Sequence, residues 1–273
     1  VSERAMTADD ERLRIALWQC EPRPGAPGEN LDRLDAAAAD AARRGADLIV
    51  TPEMVVPGYD IGAVRARELA DPPDGPIADR VRVIAARHRI AVLYGCAELD
   101  PDGSVYNAIR LVDAEGIGSA THHKTHLFGD LDRRMVASGS ARPPVVEVAG
   151  WRFGLLTCYE VEFPELVRSL ALRGADVVCV PTANMIEYDV VQDVLVRARA
   201  VESQVFVAYA NYCGSENELI YGGRSEIVAP TGDVIAVADR APDLVVAELD
   251  RATLVESRRR FPYLEDRLPD LYT

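Results

Sequence analysis

The chain is short of positive charge. Against 44 Asp and Glu stand 30 Lys and Arg, a formal net charge of −14 over 273 residues. So acidic a chain repels phosphate backbones, which argues against a nucleic-acid partner. No run of about 18 apolar residues occurs, so no membrane span is expected. The opening V-S-E-R-A-M-T-A-D-D-E-R has no apolar h-region, so no secretory signal is expected either. Residues 1–10 read as a flexible tail, with Met6 a candidate natural start. Cysteine is sparse and scattered: Cys20, Cys96, Cys158, Cys179 and Cys213, an odd number with no C-x-x-C. That pattern argues against a disulfide framework and a zinc ribbon. It suits a reduced, cytoplasmic protein whose cysteines are small core residues. Linkers rich in Pro, Ser and Gly, low-complexity segments and short-period repeats are all missing. Residues 11–273 therefore read as a single domain.

What is present is ample apolar material, 48% of the chain, enough for a substantial core. Short apolar runs alternate with amphipathic stretches. Strands are predicted at 13–20, 47–51, 90–97, 105–113 and 117–123, with a hairpin turn at Pro101-Asp102-Gly103. Helices are predicted at 29–44, where Leu31, Leu34, Ala38 and Ala41 share a face and Gly45 stops them, and at 77–89. The second half repeats the rhythm. Strands fall at 145–149, 151–157, 176–181, 205–211, 225–229, 233–238 and 244–249. Helices fall at 162–173, 189–203 and 251–258, before an irregular apolar tail. Apolar runs bounded by Gly and Pro suit strands buried on both faces, and the rhythm suits two sheets covered by helices.

Three stretches carry candidate chemistry. In W-R-F-G-L-L-T-C-Y-E-V-E-F-P-E, residues 151–165, a strand runs into Cys158 and a helix follows at once. A thiol there faces the positive end of a helix, which would lower its pKa and help hold an oxyanion. The alternative is an inert buried cysteine. In T-P-E-M, directly after the strand at 47–51, Glu53 lies at a strand's carboxyl end, where α/β active sites gather. A carboxylate there can act as a base; the alternative is a solvated loop glutamate. In H-H-K-T-H-L-F-G-D, residues 122–130, Lys124 follows a strand among mildly apolar neighbours. His122 and His126 raise the questions of a metal site and of a Cys–His dyad. The segment does not read as a helix and lacks an H-E-x-x-H frame, so no metal is expected.

In joint order these stretches resemble the nitrilase superfamily, the carbon–nitrogen hydrolases. The resemblance runs from I-A-L-W-Q at 15–19 to R-R-F-P-Y-L at 259–264. It implies an α/β fold, a four-layer α-β-β-α sandwich, with Glu53, Lys124 and Cys158 as the catalytic set. P-E-M-x-x-x-G-Y-x-I-G at 52–62, K-T-H-L-F-G-x-L-D-R at 124–133 and V-P-T-A-N-M at 180–185 are most similar to the aliphatic amidase branch that includes 5-aminopentanamidase. V-R-A-R-A-x-E-S-Q at 196–204 and Y-A-N-Y-C-G at 209–214 extend the match. Cys158-Tyr159-Glu160 in place of Cys-Trp-Glu argues against nitriles. The family's second glutamate, seven residues before a glycine, falls on Asp132 by counting from Gly139, with Asp130 a nearby competitor. Aspartate is one methylene shorter, so its carboxylate would sit about 1.5 Å further back.

The resemblance implies hydrolysis of a short aliphatic or ω-amino amide, such as 5-aminopentanamide, to a carboxylate and ammonia. Cys158 would form the thioester, Glu53 would move the protons, and Lys124 with the Tyr159 N–H would hold the oxyanion. Tyr59, Phe128, Glu160, Asn184, Met185 and Glu187 are expected near the substrate. Glu160 could orient Lys124 or the amide, and Glu187 and Asp60 could meet a terminal ammonium. Three rivals stand beside this reading. An N-carbamoyl hydrolase would need a cation such as Arg133, Arg134 or Arg142. A non-catalytic member of the fold would need none of the three catalytic groups. A papain-like protease does not fit the order Glu–Lys–Cys. No cofactor is expected, and the family implies a homodimer or larger homo-oligomer with the C-terminal tail at the subunit interface.

Overall fold

The computed structural model describes residues 11–272; the expected tail at residues 1–10 lies outside them. Alternation along the first strand fixes the layering. In β1 (Arg12–Gln19), Ile15 and Leu17 point to one core, while Ala16 and Trp18 point to another. The same two-sided burial holds for β2 (Leu48–Val50) and β3 (Ala91–Leu99), as the unbroken apolar runs required. β4 (Val105–Val112), β5 (Gly118–His123) and the distant β14 (Asp243–Asp250) complete a six-stranded sheet in the order β14-β1-β2-β3-β4-β5. The second sheet takes β6 (Val145–Val148), β7 (Trp151–Leu155), β8 (Val177–Pro181), β9 (Phe206–Ala210), β12 (Glu226–Val228) and β13 (Val234–Val237), in the order β13-β12-β9-β8-β7-β6. Both sheets are mixed, with parallel pairs at their centres.

Between the sheets lies a core that includes Leu13, Leu93, Trp151, Phe153, Val177 and Phe206. Helices α1 (Pro27–Arg43) and α3 (Pro76–His88) cover the outer face of the first sheet. Each begins with proline, whose missing N–H costs nothing in a first turn. α5 (Pro164–Leu172) and α6 (Arg197–Ser203) cover the second sheet through Val167, Leu170 and Ala200. α7 (Arg251–Arg260) follows β14 directly, capped by Asp250, which accepts the Ala252 N–H. The result is the α-β-β-α sandwich.

Several elements differ from expectation. Helices α2 (Gly62–Leu69) and α4 (Gly129–Met135) are eight and seven residues long, too brief for a periodic signal. The hairpin of β10 (Cys213–Glu216) and β11 (Leu219–Gly222) is formed in a stretch that carried no strand assignment. The helix expected at 162–173 is preceded by a 3₁₀ turn from Cys158 to Glu162, and α5 starts only at Pro164. The helix expected at 189–203 begins as a π-helical stretch over Val191–Val196.

One buried charge on the second sheet predicts a pH effect. Glu226 is buried, its Oε1 has no hydrogen-bond partner, and Arg197 stands 4.0 Å from Oε2. Burial raises its pKa to about 7 from 4.5, with Arg197 and Arg224 opposing. The folded chain thus holds a proton that the unfolded chain releases near the ordinary value. Stability from this group is full below about 4.5 and falls as pH rises towards about 7. Glu226→Gln is expected to flatten that decline and to raise stability above pH 7. Urea unfolding at pH 5 and pH 8 would check it, and an unchanged pH slope would refute it.

Candidate active site

The candidate side chains leave the carboxyl ends of strands in both sheets. After β2 the chain turns over β3, where Gly95 makes room. A Cβ on Gly95 would lie 2.3 Å from the Met54 backbone nitrogen, so this close approach requires glycine. The Glu53 N–H donates to the Thr182 carbonyl beyond β8 at 3.2 Å, tying the two sheets together there. After β5 the Lys124 N–H donates to the Asn107 carbonyl, and Gly139 N–H to the Lys124 carbonyl, at 2.9 and 2.8 Å. After β7 the backbone bends sharply: Cys158 has φ +48°, a left-handed conformation uncommon outside glycine. That bend sets its thiol at the head of the 3₁₀ turn.

Lys124 is the centre of the site. It is fully buried, and its Nζ lies 2.7 Å from both Glu53 Oε1 and Asp132 Oδ2. Asn107 Nδ2 donates to the same Glu53 oxygen at 2.7 Å. The other, Oε2, is buried without a hydrogen-bond partner. The Phe128 N–H donates to Asp132 Oδ2 at 2.8 Å. Asp132 sits in α4, and this short helix brings its carboxylate to Lys124 despite the shorter side chain. Asp130 is exposed and pairs with Arg134 at 2.7 Å. Of the two aspartates weighed from the sequence, Asp132 is the one beside Lys124.

Electrostatics set the resting protonation. Burial alone would lower the Lys124 pKa, but Glu53 and Asp132 outweigh it and hold the ammonium well above its usual range. Glu53 is raised by burial and by Asp132, against the pull of Lys124 and Asn107. Cys158 is the most exposed of the five cysteines at 9%, the others standing at 2% or less. Its thiol pKa is raised, not lowered as the helix argument anticipated. Burial and the Glu53 charge dominate over Lys124, the Thr182 hydroxyl and the Ala183 N–H. The turn that follows has only five residues, too few to offset this. The free thiol is therefore neutral, and a nucleophilic role for it would need a base.

Tyr59 is buried beside the set, with Lys124 Nζ 5.7 Å from its ring centre. Phe128 meets the Tyr159 and Tyr188 rings edge-on, each at 5.5 Å. Met185 is buried, and Asn184 spends its amide on the Tyr188 carbonyl and Gln192. Glu160 is buried, with its carboxylate bonded to Thr157, His122 and Thr125. Glu187 is exposed, Asp60 is bound by Asn217, and Arg133 and Arg142 are exposed. His126 bonds Thr125 through Nδ1 at 2.8 Å. Among the described residues no three His, Cys, Asp or Glu side chains converge as a metal-binding set. Asn107, Thr182 and Tyr188 were not anticipated. Asn107 alone left a trace, as an amide inside an apolar strand.

Comparison with known proteins gives the family. Residues 14–259 match the carbon-nitrogen hydrolase family. A hydrolase in the pqqF 5′ region of Pseudomonas protegens is 50% identical, over 95% of this chain and 90% of that protein. An (R)-stereoselective amidase from Pseudomonas sp. is 36% identical, over 93% and 91%. Among solved structures, a mutant of the amidase from Nesterenkonia sp. AN1 superposes with a TM-score of 0.83 at 34% identity, covering 98% of each chain; it shows covalent addition of the acetamide moiety of fluoroacetamide at its active-site cysteine. The two-sheet sandwich and these matches make the chain a member of the carbon–nitrogen hydrolase family.

Proposed function

We propose that the chain is an amidase that hydrolyses a short aliphatic or ω-amino amide to a carboxylate and ammonia through a thioester on Cys158. One observation carries the reading. Lys124 is clamped by Glu53 and Asp132, and Glu53 keeps one oxygen without a partner while its charge acts on the Cys158 thiol.

The chemistry follows from the protonation states. Glu53 takes the thiol proton as Cys158 attacks the amide carbon. The raised pKa of Glu53 makes it the stronger base. The new oxyanion is held by Lys124 and by the Tyr159 N–H, which stands in the first turn of the 3₁₀ helix with no acceptor within it. Protonated Glu53 then gives its proton to the leaving nitrogen, and ammonia departs. Water, deprotonated by Glu53, attacks the thioester; the carboxylate leaves and Cys158 recovers its proton. Two acyl transfers replace one harder hydrolysis. Asp132 keeps Lys124 charged and in place. Tyr59, Phe128, Asn184, Met185 and Glu187 are the proposed substrate contacts, with the exposed Glu187 carboxylate available to a terminal ammonium.

The test is ammonia release from propionamide, butyramide, 5-aminopentanamide, glutaramate, N-carbamoyl-β-alanine and a simple nitrile, with intact-mass detection of the acylated enzyme. Ammonia from the amides and an acyl adduct on Cys158 are expected. Faster turnover of 5-aminopentanamide than of butyramide would identify an ω-amino amide enzyme. Carbon dioxide from the carbamoyl substrate with no turnover of any amide would overturn the reading.

A further inference from the structure

Lys124 and Cys158 arrive on loops from different sheets, and nothing in the catalytic set itself fixes one loop against the other. Glu160 does. Its Oε2 accepts the Thr157 N–H at 2.7 Å, one residue before the nucleophile. The same oxygen lies 2.8 Å from His122 Nε2, two residues before Lys124. Its Oε1 accepts the Thr125 N–H at 2.8 Å and the Thr125 hydroxyl at 2.6 Å, one residue after Lys124. Four donors from both loops thus converge on one carboxylate that is fully buried, with the His122 side chain only 1% exposed. The bond to Thr157 reaches back across the start of the 3₁₀ turn, as a glutamate does in the third position of a helix. It holds the residue next to Cys158, whose left-handed backbone must be kept in place by its surroundings.

We infer that Glu160 is a positioning residue which, with His122 and Thr125, clamps the Lys124 loop to the Cys158 turn and so sets the distance between nucleophile and oxyanion-holding ammonium. The inference rests on the catalytic reading above and assigns Glu160 to the wall of the site, not to the substrate. The carboxylate has no capacity left for a ligand: each oxygen already takes two donors. Burial alone would raise its pKa, but the bonds from His122 and Thr125 hold it below the usual range, so it accepts from all four as an anion. A glutamine cannot replace it. Whichever way the amide is turned, its NH₂ faces a backbone N–H that can only donate, that of Thr157 or that of Thr125.

The experiment measures kcat and KM for ammonia release on the full chain, well below the melting transition. Glu160→Gln is expected to lower kcat ~10²-fold, the scale of a misplacement near 1 Å, with KM changed by less than about threefold. Should Glu160→Gln not fold, Thr125→Val reads the same clamp, because its backbone bond survives and only the hydroxyl is lost. It is expected to lower kcat by about tenfold, and Thr125→Ser to recover most of that. His122→Ala combined with Glu160→Gln is expected to cost far less than the product of the two single losses. A merely structural glutamate would lower the melting temperature and leave kcat of the folded enzyme within about threefold of its starting value; that result overturns the inference. So does a rise in KM at constant kcat, which would make Glu160 a substrate contact. Absence of an acyl adduct on Cys158 in the unmodified enzyme would instead remove the catalytic reading itself, a separate failure seen without any Glu160 variant.

Discussion

Lys124→Met is expected to abolish turnover and to destabilise the fold, with both losses visible in one preparation. Methionine fills most of the same volume without charge. It leaves Glu53 and Asp132, each fully buried and formerly 2.7 Å from Nζ, facing one another with no cation between them. Removing one partner of a buried ionic set commonly costs ~3–5 kcal/mol, because the stranded charge keeps its desolvation penalty. Loss of one oxyanion donor commonly lowers turnover ~10²–10³-fold, and here the same change also pushes Glu53 towards its protonated, inactive form. The combined fall should leave only background ammonia release. The stability deficit has a sign that can be checked. Without Lys124 the Glu53 carboxyl, which burial already holds above its ordinary value, loses the cation that pulls it down, so the folded variant holds a proton that the unfolded chain releases. Its stability should therefore recover as pH falls towards the ordinary carboxylate range and be poorest at pH 8. Urea unfolding of both proteins at pH 5 and pH 8, beside initial rates, measures this. Lys124→Arg is not expected to rescue activity, since a planar guanidinium cannot occupy the space of a point ammonium held by two carboxylates. Wild-type rates in Lys124→Met would mean that the oxyanion is held elsewhere.

That the sheets and the longer helices could be read from the chain follows from their burial. β2, β3, β8 and β9 are enclosed on both faces, so their sequences are continuous apolar runs with little room for another reading. α1 and α3 carry one apolar face over 17 and 13 residues, long enough for periodicity to show. α4 was hidden in a loop because seven residues span barely two turns, and its two buried positions, Asp132 and Met135, do not form a stripe. Glu53, Lys124 and Cys158 stand out as candidates in the sequence because each lies within three residues of a strand's carboxyl end. Asn107 does not. It contacts Glu53 from 54 positions away, through a strand pairing that no local pattern encodes. Glu160 stands out in the sequence beside Cys158, but its surroundings do not. Its partners His122 and Thr125 lie 38 and 35 positions back, and only the packed sandwich brings them to it. The thiol departs from the sequence expectation for a related reason: helix direction can be read from sequence, whereas the degree of burial that raises the Cys158 pKa cannot.

Glu53→Gln separates proton transfer from architecture more cleanly than any other change. The amide keeps the length of the side chain. Its carbonyl can take the place of Oε1, where Lys124 and Asn107 both donate at 2.7 Å, so the bonds that hold the loop survive. What is lost is the basic oxygen at Oε2. On the proposed mechanism, attack by Cys158 loses its base, departure of ammonia loses its acid, and water loses its activator. One general acid–base role is commonly worth ~10²–10⁴-fold, and three successive roles fall on this residue, so turnover should drop by at least the upper end of that range. The melting temperature should hold or rise, because a buried carboxylate raised by burial and by Asp132 is replaced by a neutral group. The pH profile carries the decisive signature. In the wild type, rate should be lost as pH falls through the Glu53 pKa, which burial and Asp132 set above the ordinary 4.5. In Glu53→Gln that acid limb should vanish. The residual rate should instead climb with pH across the whole accessible range, following ionisation of a thiol that burial has raised. If the acid limb persists unchanged in the variant, the proton that matters belongs to another group, and the half-buried Glu162, which burial raises against Lys124 and Arg199, becomes the residue to replace next.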